Sequence, residues 1–121
     1  MDDTFRRASD SLPLSALDLQ VLLVLSDSDL YGYAIMKAVE AQSGGVLSPE
    51  IGSLYRVLSR LTDLGWVVET DTPAQPAEGH RGKPRRYYGI TELGRAVARS
   101  ELQRLREVVR RAEALGPEGA R

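Results

Sequence analysis

The sequence predicts a small α+β domain, mainly helical, with three helices, a two-stranded hairpin and a long final helix. Two β-branched or aromatic runs, residues 66–70 and 86–90, are typical of short strands, and three prolines and two glycines break the segment between them. Apolar residues recur at helical spacing before and after the hairpin. This order is that of a winged helix-turn-helix, in which the hairpin is the wing.

The first two helices follow from apolar patterning. Residues 14–25 are apolar on most sides, which favours a helix at the centre of the domain, and Ser15 is a suitable N-cap. The glycine pair Gly44 and Gly45 ends the second helix. That helix is predicted from apolar residues at i, i+3, i+4, i+7 and i+8: Tyr31, Ala34, Ile35, Ala38 and Val39.

The third helix is predicted over residues 48–64 and the last over residues 91–115. Ser48 can cap the third helix, Pro49 suits its first turn, and Thr91 can cap the last. The buried stripe of the third helix is predicted to be Ile51, Leu54, Tyr55, Leu58 and Leu61. Trp66 is expected in the core or at a dimer contact. Tyr87 and Tyr88 alternate along a strand, so one is expected to face the core and the other solvent or a partner.

The chain is 121 residues long, enough for one hydrophobic core. We expect a flexible arm over residues 1–11, the winged helix-turn-helix over 12–91, the long last helix over 92–115 and a flexible tail over 116–121. No apolar run approaches the roughly 18 residues of a membrane span, and the N-terminus lacks a signal-peptide pattern. We therefore expect a cytoplasmic protein with no membrane partner.

Enzyme function finds little support in the sequence. The absence of cysteine excludes disulfides, thiolate catalysis and cysteine-based metal sites. His80 is the only histidine, and it lies in the wing without a serine or carboxylate triad pattern around it. No glycine-rich phosphate loop is present. We expect a protein that is not an enzyme and that uses no metal and no other cofactor.

The distribution of charge favours DNA, although the net charge of −1 does not. Six aspartates fall within the first thirty residues, whereas no acid lies between Gly79 and Thr91. Phosphate contact depends on where the cations are, not on their total. The cations of the wing, which we expect to contact phosphates, are Arg81, Lys83, Arg85 and Arg86.

The face of the third helix opposite its apolar stripe is the candidate recognition surface. Gly52 lets DNA approach the backbone, Ser48 and Ser53 can bind phosphates or base edges, and Arg56 can bind a guanine edge through two hydrogen bonds. A solvated helix face is the alternative interpretation of this pattern alone. The candidate DNA-binding residues of the helix are Ser48, Gly52, Ser53, Tyr55, Arg56 and Arg60.

The last helix carries apolar residues at spacings of four and three, which is an a/d seam about two heptads long. The helix either pairs with a second copy of the chain or lies on its own domain, and the apolar width of the stripe favours pairing. Its outer face is basic, with Arg104, Arg106, Arg110 and Arg111. The candidate dimer interface is Ala98, Leu102, Leu105, Val109 and Ala112.

Several of these segments together resemble the PadR family of transcriptional regulators over residues 12–115. They are LYGYAIM (30–36), SGG (43–45), GSLYRVLSRL (52–61), DLGWV (63–67) and RRYYGITELGR (85–95). The resemblance implies a homodimeric winged helix-turn-helix, usually a repressor, in the small subgroup with one C-terminal dimerisation helix. Family members often carry proline where this chain has Ile51, and its own proline is Pro49, so the recognition helix is expected to start at a shifted position.

The sequence therefore predicts a homodimeric, sequence-specific DNA-binding regulator, a repressor acting on an inverted-repeat operator of double-stranded DNA. Two alternatives stay open at this point. One is a small-molecule sensor with its ligand in the cleft between subunits, since some relatives respond to aromatic or drug-like effectors. The other is a winged-helix protein-interaction module that does not bind DNA.

Overall fold

The computed structural model of the chain describes residues 10–70 and 86–116. The helices within these ranges are α1 (Ala16–Asp27), α2 (Gly32–Gln42), α3 (Ile51–Asp63) and α4 (Glu92–Ala112), followed by a 3₁₀ turn (Glu113–Leu115). The strands are β1 (Leu30–Tyr31), β2 (Val67–Thr70) and β3 (Tyr87–Ile90). They form an antiparallel sheet in the order β1-β3-β2. This is the predicted winged helix-turn-helix with a long C-terminal helix.

Helix α1 lies at the centre of the core, as its apolar pattern predicts. The Ser15 hydroxyl accepts a hydrogen bond of 3.1 Å from the Asp18 backbone N–H, so the predicted N-cap is confirmed. Val21, Leu22 and Leu25 are fully buried. The other α-helices and the sheet pack around this helix.

The start of α2 differs from the prediction. Tyr31 does not lie on the helical stripe, because it forms the two-residue strand β1 with Leu30 and pairs with Tyr87 of β3. A strand this short has no periodicity that a sequence could show. The predicted end is confirmed, since Gly44 and Gly45 both have positive φ angles, which glycine adopts without strain.

Helix α3 begins three residues later than its predicted N-cap. Ser48 does not cap the helix, because its hydroxyl donates a hydrogen bond of 2.6 Å to a carboxylate oxygen of Glu40 on α2. The helix starts at Ile51, and Glu50 precedes it without a side-chain capping bond. The predicted buried stripe was too wide. Leu54, Leu58 and Leu61 are fully buried, whereas Ile51 is 40% and Tyr55 43% exposed.

The two tyrosines of β3 alternate across the strand as expected, but both are buried, so the expected exposure of one of them is wrong. Tyr87 and Tyr88 are each 3% exposed. β3 is the central strand of the sheet, and β1 brings the Tyr31 ring edge-on against Tyr87, with ring centroids 5.6 Å apart. Tyr88 packs in the main core on the opposite face of the sheet. The outer face of β3 is covered because a third strand, unrecognised in the sequence, lies beside it.

The first half of α4 closes the core. Thr91 caps the helix as predicted, accepting a hydrogen bond of 3.0 Å from the Gly94 backbone N–H. Val97 and Ala98 are buried in the main cluster, as is Trp66, which settles its predicted place in favour of the core. Gly94 is packed against the Trp66 backbone so closely that a Cβ atom there would overlap the Trp66 carbonyl oxygen. The close contact between α4 and the segment that joins α3 to β2 therefore requires glycine.

Candidate nucleic-acid interface

The outer face of α3 is open and carries polar groups. Gly52, Tyr55, Arg56 and Ser59 are exposed on the side opposite the buried leucines. A Cβ atom at Gly52 would meet no atom within 4 Å, so the backbone is bare at this point. Ser59 lies on the same face, and sequence reasoning missed it. Its helical position, opposite Leu54, Leu58 and Leu61, was the available signal.

Arg56 is oriented by its own helix. Its Nη2 atom donates a hydrogen bond of 3.0 Å to the Ser53 hydroxyl, one turn earlier. Ser53 therefore lies beside Arg56 and restricts the rotamers of a long, flexible side chain. A guanidinium held in one direction loses less entropy on binding than a free one, and its planar fork suits a guanine edge.

Two of the predicted helix residues are engaged elsewhere in the molecule. The Ser48 hydroxyl is bonded to Glu40, as described above. Arg60 donates through Nη2 to a carboxylate oxygen of Asp18 on α1, at 2.6 Å. Asp18 is buried whereas Arg60 is half exposed. The structure thus gives both Ser48 and Arg60 partners on neighbouring helices.

Tyr55 connects α3 to α2. A Cβ atom at Gly32 would lie 2.5 Å from the Tyr55 hydroxyl oxygen, so the tyrosine ring lies directly across the first residue of α2. One edge of the ring remains exposed beside Arg56. Glycine at position 32 allows this crossing, which places the two helices of the helix-turn-helix in contact at the exposed surface.

Of the predicted wing cations, Arg86 lies within the described residues, and Arg81, Lys83 and Arg85 lie outside them. The Arg86 side chain is largely exposed, and its Nε atom is 3.6 Å from a carboxylate oxygen of Glu69 on β2. The Tyr88 hydroxyl and the Glu69 carboxylate both raise the pKa of Arg86, and burial raises the pKa of Tyr88. Arg86 therefore stays charged at the base of the wing, next to the sheet.

Arg86 borders a polar hollow of about 340 Å³ between α3 and the sheet. Asp63 at the end of α3 and Glu69 on β2 also line it, with Tyr55, Ser59 and Tyr88. These two carboxylates would repel phosphates. The half of α3 that begins at Ile51 and includes Arg56 is consequently the more favourable region for a nucleic acid, and the positive end of the helix dipole lies there.

The predicted seam on α4 is divided by the structure. Ala98 is buried in the core of its own domain, so it is not available to a second chain. Beyond Glu101 the apolar side chains become accessible: Leu102 and Leu105 are half buried, Ala112 is exposed and Val109 is 60% exposed. A surface hollow of about 310 Å³ lies along this distal half, lined by Leu102, Leu105, Arg106, Val109, Arg110 and Glu113.

Ion pairs neutralise much of the basic face of α4. Arg104 binds Glu101 through two hydrogen bonds of 2.6 and 3.0 Å. Glu107 accepts from Arg110 at 2.5 Å and from Arg111 at 3.4 Å. Hydrogen bonds from these arginines lower the pKa of both glutamates. Sequence reasoning missed Glu101, which is buried and bonded to the backbone before α1.

The described part of the chain contains no group of three or more histidine, cysteine, aspartate or glutamate side chains placed to hold a metal ion. Within the same residues, no helix has the length and apolar character needed to cross a lipid bilayer.

Comparison with known proteins identifies the family. The family model described as transcriptional regulator PadR-like family matches residues 21–100, the greater part of the chain. A search of curated protein sequences gives no match.

Solved structures show the same fold. A transcriptional regulator from Clostridium thermocellum superposes with a TM-score of 0.66 at 19% identity, covering 87% of this chain and 100% of that one. A PadR family transcription regulator from Clostridium difficile gives 0.66 at 22% identity, covering 84% and 98%. Bacillus subtilis PadR, in complex with operator DNA, gives 0.60 at 23% identity, covering 73% of this chain and 48% of that one. The chain belongs to the PadR-like family of transcriptional regulators.

Proposed function

We propose that this regulator binds double-stranded DNA as a homodimer, with α3 in the major groove of each half of an inverted-repeat operator. Residues 12–91 form the DNA-binding domain and residues 92–115 the dimerisation helix in this proposal. Repression is the expected outcome, since the bound dimer would cover promoter DNA. The operator complex of the Bacillus subtilis relative supports DNA as the ligand of this fold.

The observation that carries the proposal is the open face of α3. Bare backbone at Gly52 beside a pre-oriented Arg56 provides close approach and a directed donor fork in one place. A surface helix that serves only solubility needs neither feature. Arg56 is assigned to a base edge, Ser53 to its orientation and Tyr55 to a neighbouring phosphate. Ser48 and Arg60 are assigned to holding the domain together, because each is bonded to another helix.

The wing is assigned to the DNA backbone. Arg86 is exposed and charged at its base, and the sequence places Arg81, Lys83 and Arg85 just before it. Contacts with phosphates need charge rather than fixed geometry, and each one releases counterions. The wing should therefore contribute affinity and salt dependence, whereas Arg56 should contribute sequence preference.

The dimer is assigned to the distal half of α4. Leu102, Leu105 and Val109 form an accessible apolar stripe with a hollow beside it, and the same stripe on a second copy would supply apolar side chains to pack against it. A two-fold pair presents two copies of α3, so the half-sites should lie about 34 Å apart, one DNA turn, or a multiple of that.

The test is selection of binding sites from random DNA, followed by affinity measurements at several salt concentrations. Arg56→Ala should cost about 1–3 kcal/mol on the selected site and leave binding to random DNA nearly unchanged. Arg99→Ala is the matched control, because Arg99 is exposed on α4, away from α3, and its loss removes the same charge. A wild-type protein that binds no DNA even at low salt would refute the proposal. Equal losses on selected and random DNA would make Arg56 a phosphate contact.

A further inference from the structure

Two buried carboxylates link the beginning of α1 to neighbouring helices. Among the described residues, Asp18 and Glu101 are the buried charged side chains. Asp18, in the first turn of α1, is bonded to Arg60 of α3 at 2.6 Å. Glu101 of α4 accepts a hydrogen bond of 3.1 Å from the Leu14 backbone N–H, immediately before α1. The start of α1 is therefore bonded to α3 and to α4 at once.

Both carboxylate oxygens of the buried Glu101 side chain accept hydrogen bonds. It is 2% exposed, and it accepts two hydrogen bonds from Arg104 as well as the one from Leu14. Removing a carboxylate from water is costly, and an apolar side chain of the same size would fill the space without that cost. An apolar side chain would lack the directional hydrogen bonds of the carboxylate, and these bonds fix the angle between α4 and the segment that leads into α1.

A second pair on the same helix shows what is particular to Glu101. Glu107 and Arg110 repeat the i, i+3 arrangement of Glu101 and Arg104 less than two turns further on. Glu107 is half exposed, and its hydrogen bonds within the described residues go to Arg110 and Arg111 of its own helix. The two pairs have the same chemistry, but within the described residues only Glu101 of these two glutamates also bonds to a residue outside its own helix.

We propose that Glu101 is a positioning residue that sets the angle at which distal α4 leaves the winged domain. Its bond to Leu14 connects α4 to the start of α1, and the ion pair of Asp18 with Arg60 connects the start of α1 to α3. The angle of α4 is therefore related to the position of α3. The proposal rests on the dimer proposed above, in which the distal halves of α4 join the two chains. In that dimer the angle fixes the separation of the two α3 helices, and with it the preferred spacing between half-sites.

The geometry makes the spacing sensitive to small rotations. A domain of about 100 residues has a radius of gyration of about 13 Å, and a tilt of about 15° moves a point at that distance from the pivot by roughly 3.4 Å. That displacement equals the rise of one base pair, about 3.4 Å. Loss of the Glu101 hydrogen bonds should therefore widen the range of accepted half-site spacings by a base pair or more. It should not change how one α3 helix recognises one half-site.

The direct test measures the angle within one chain. The sequence has no cysteine, so Ser59→Cys on α3 and Arg111→Cys on distal α4 provide the only two sites for spin labels. Dilution with unlabelled chain leaves intrachain pairs. Glu101→Ala and Glu101→Gln should broaden the distance distribution, because an amide has one acceptor oxygen for three donors. Glu107→Gln, the matched control, should not change it. An unchanged distribution in both Glu101 variants would overturn the proposal.

A series of DNA duplexes tests the consequence for recognition. The wild type should prefer one half-site spacing by on the order of tenfold or more over its neighbours, because both domains must bind at once. Glu101→Gln should flatten this preference while keeping its affinity for a single half-site. A mere loss of stability would lower affinity at every spacing equally, and that result would also count against positioning. If the wild type is monomeric, the proposed dimer fails, but the intrachain distances still decide the role of Glu101.

Discussion

The two halves of α4 belong to one continuous helix but have different surroundings. From Glu92 to Glu101 the helix packs on its own domain, with Gly94, Val97 and Ala98 buried. From Leu102 onward its apolar side chains are accessible, and Val108 and Val109 are exposed. The heptad spacing continues through both halves without a break. An apolar repeat thus indicates a surface suited to packing, but not whether the same chain covers it.

Charge in the distal half should have the largest effect. Leu105→Glu would place a carboxylate in the seam between two copies of α4, where it would be buried without a partner. We expect the dimer to dissociate and operator affinity to fall by about 10²-fold or more, since each half-site must then bind alone. Sedimentation equilibrium and DNA titration measure the two effects.

Gln103→Glu is the matched control for this change. Gln103 is exposed on the same helix but points away from the seam, so it adds the same charge without entering the interface. A Leu105→Glu protein that stays dimeric, or a Gln103→Glu protein that dissociates equally, would remove the distinction between the two halves.

A methyl group added in the proximal half of α4 should lower the stability of the fold and should not affect dimerisation. Gly94→Ala would overlap the Trp66 carbonyl oxygen, so we expect a loss of about 1–3 kcal/mol in the free energy of unfolding. In an open helix the same substitution stabilises by up to about 1 kcal/mol. Chemical denaturation of the wild type and of Gly94→Ala measures the sign of this change in the free energy of unfolding.

Gly52→Ala provides the comparison, because a Cβ atom there meets nothing within 4 Å. It should leave stability equal or slightly higher and weaken DNA binding, since the methyl group would stand between the backbone and the groove. Stabilisation by Gly94→Ala would show that the contact between α4 and Trp66 is looser than described.

A smaller effect is expected from the pH dependence of the proximal ion pair. Hydrogen bonds from Arg104 hold the pKa of Glu101 below its ordinary value of 4.5. Because the folded-state pKa is the lower one, the stabilisation is fully present above about pH 4.5 and is lost as the pH falls through the folded-state value. The stability difference between the wild type and Glu101→Gln should therefore shrink on acidification. Parallel stability curves down to pH 3 would be the contrary result.

Sequence reasoning located the helices, the hairpin strands and the core leucines of α3, because these follow from periodicity and from glycine or proline breaks. It failed where a distant residue decided the outcome. Ser48 was predicted to cap the helix, but its hydroxyl bonds to the Glu40 carboxylate instead. Glu40 is eight positions earlier in the sequence, so no local pattern indicates this contact. One tyrosine of β3 was predicted to be exposed. That prediction failed because β1, which covers Tyr87, is too short to show a pattern in the sequence.

The site was only partly predictable for the same reason. Gly52, Ser53 and Arg56 follow from the face opposite Leu54, Leu58 and Leu61, and the structure places them together. Arg60 lies on the same helix, but its partner Asp18 is 42 residues away. Glu101 resembled a surface charge in the sequence, since its contact with Leu14 spans 87 positions. Long-range polar contacts of this kind have no local signal.

The stoichiometry of the protein on a selected DNA site tests the central claim most directly. In the proposed dimer, proximal α4 completes each domain and distal α4 joins two of them. Analytical ultracentrifugation should find a dimer of the free protein at micromolar concentration and two chains on one duplex, with inverted half-sites about 34 Å apart. A free monomer that binds one chain to one site would contradict it.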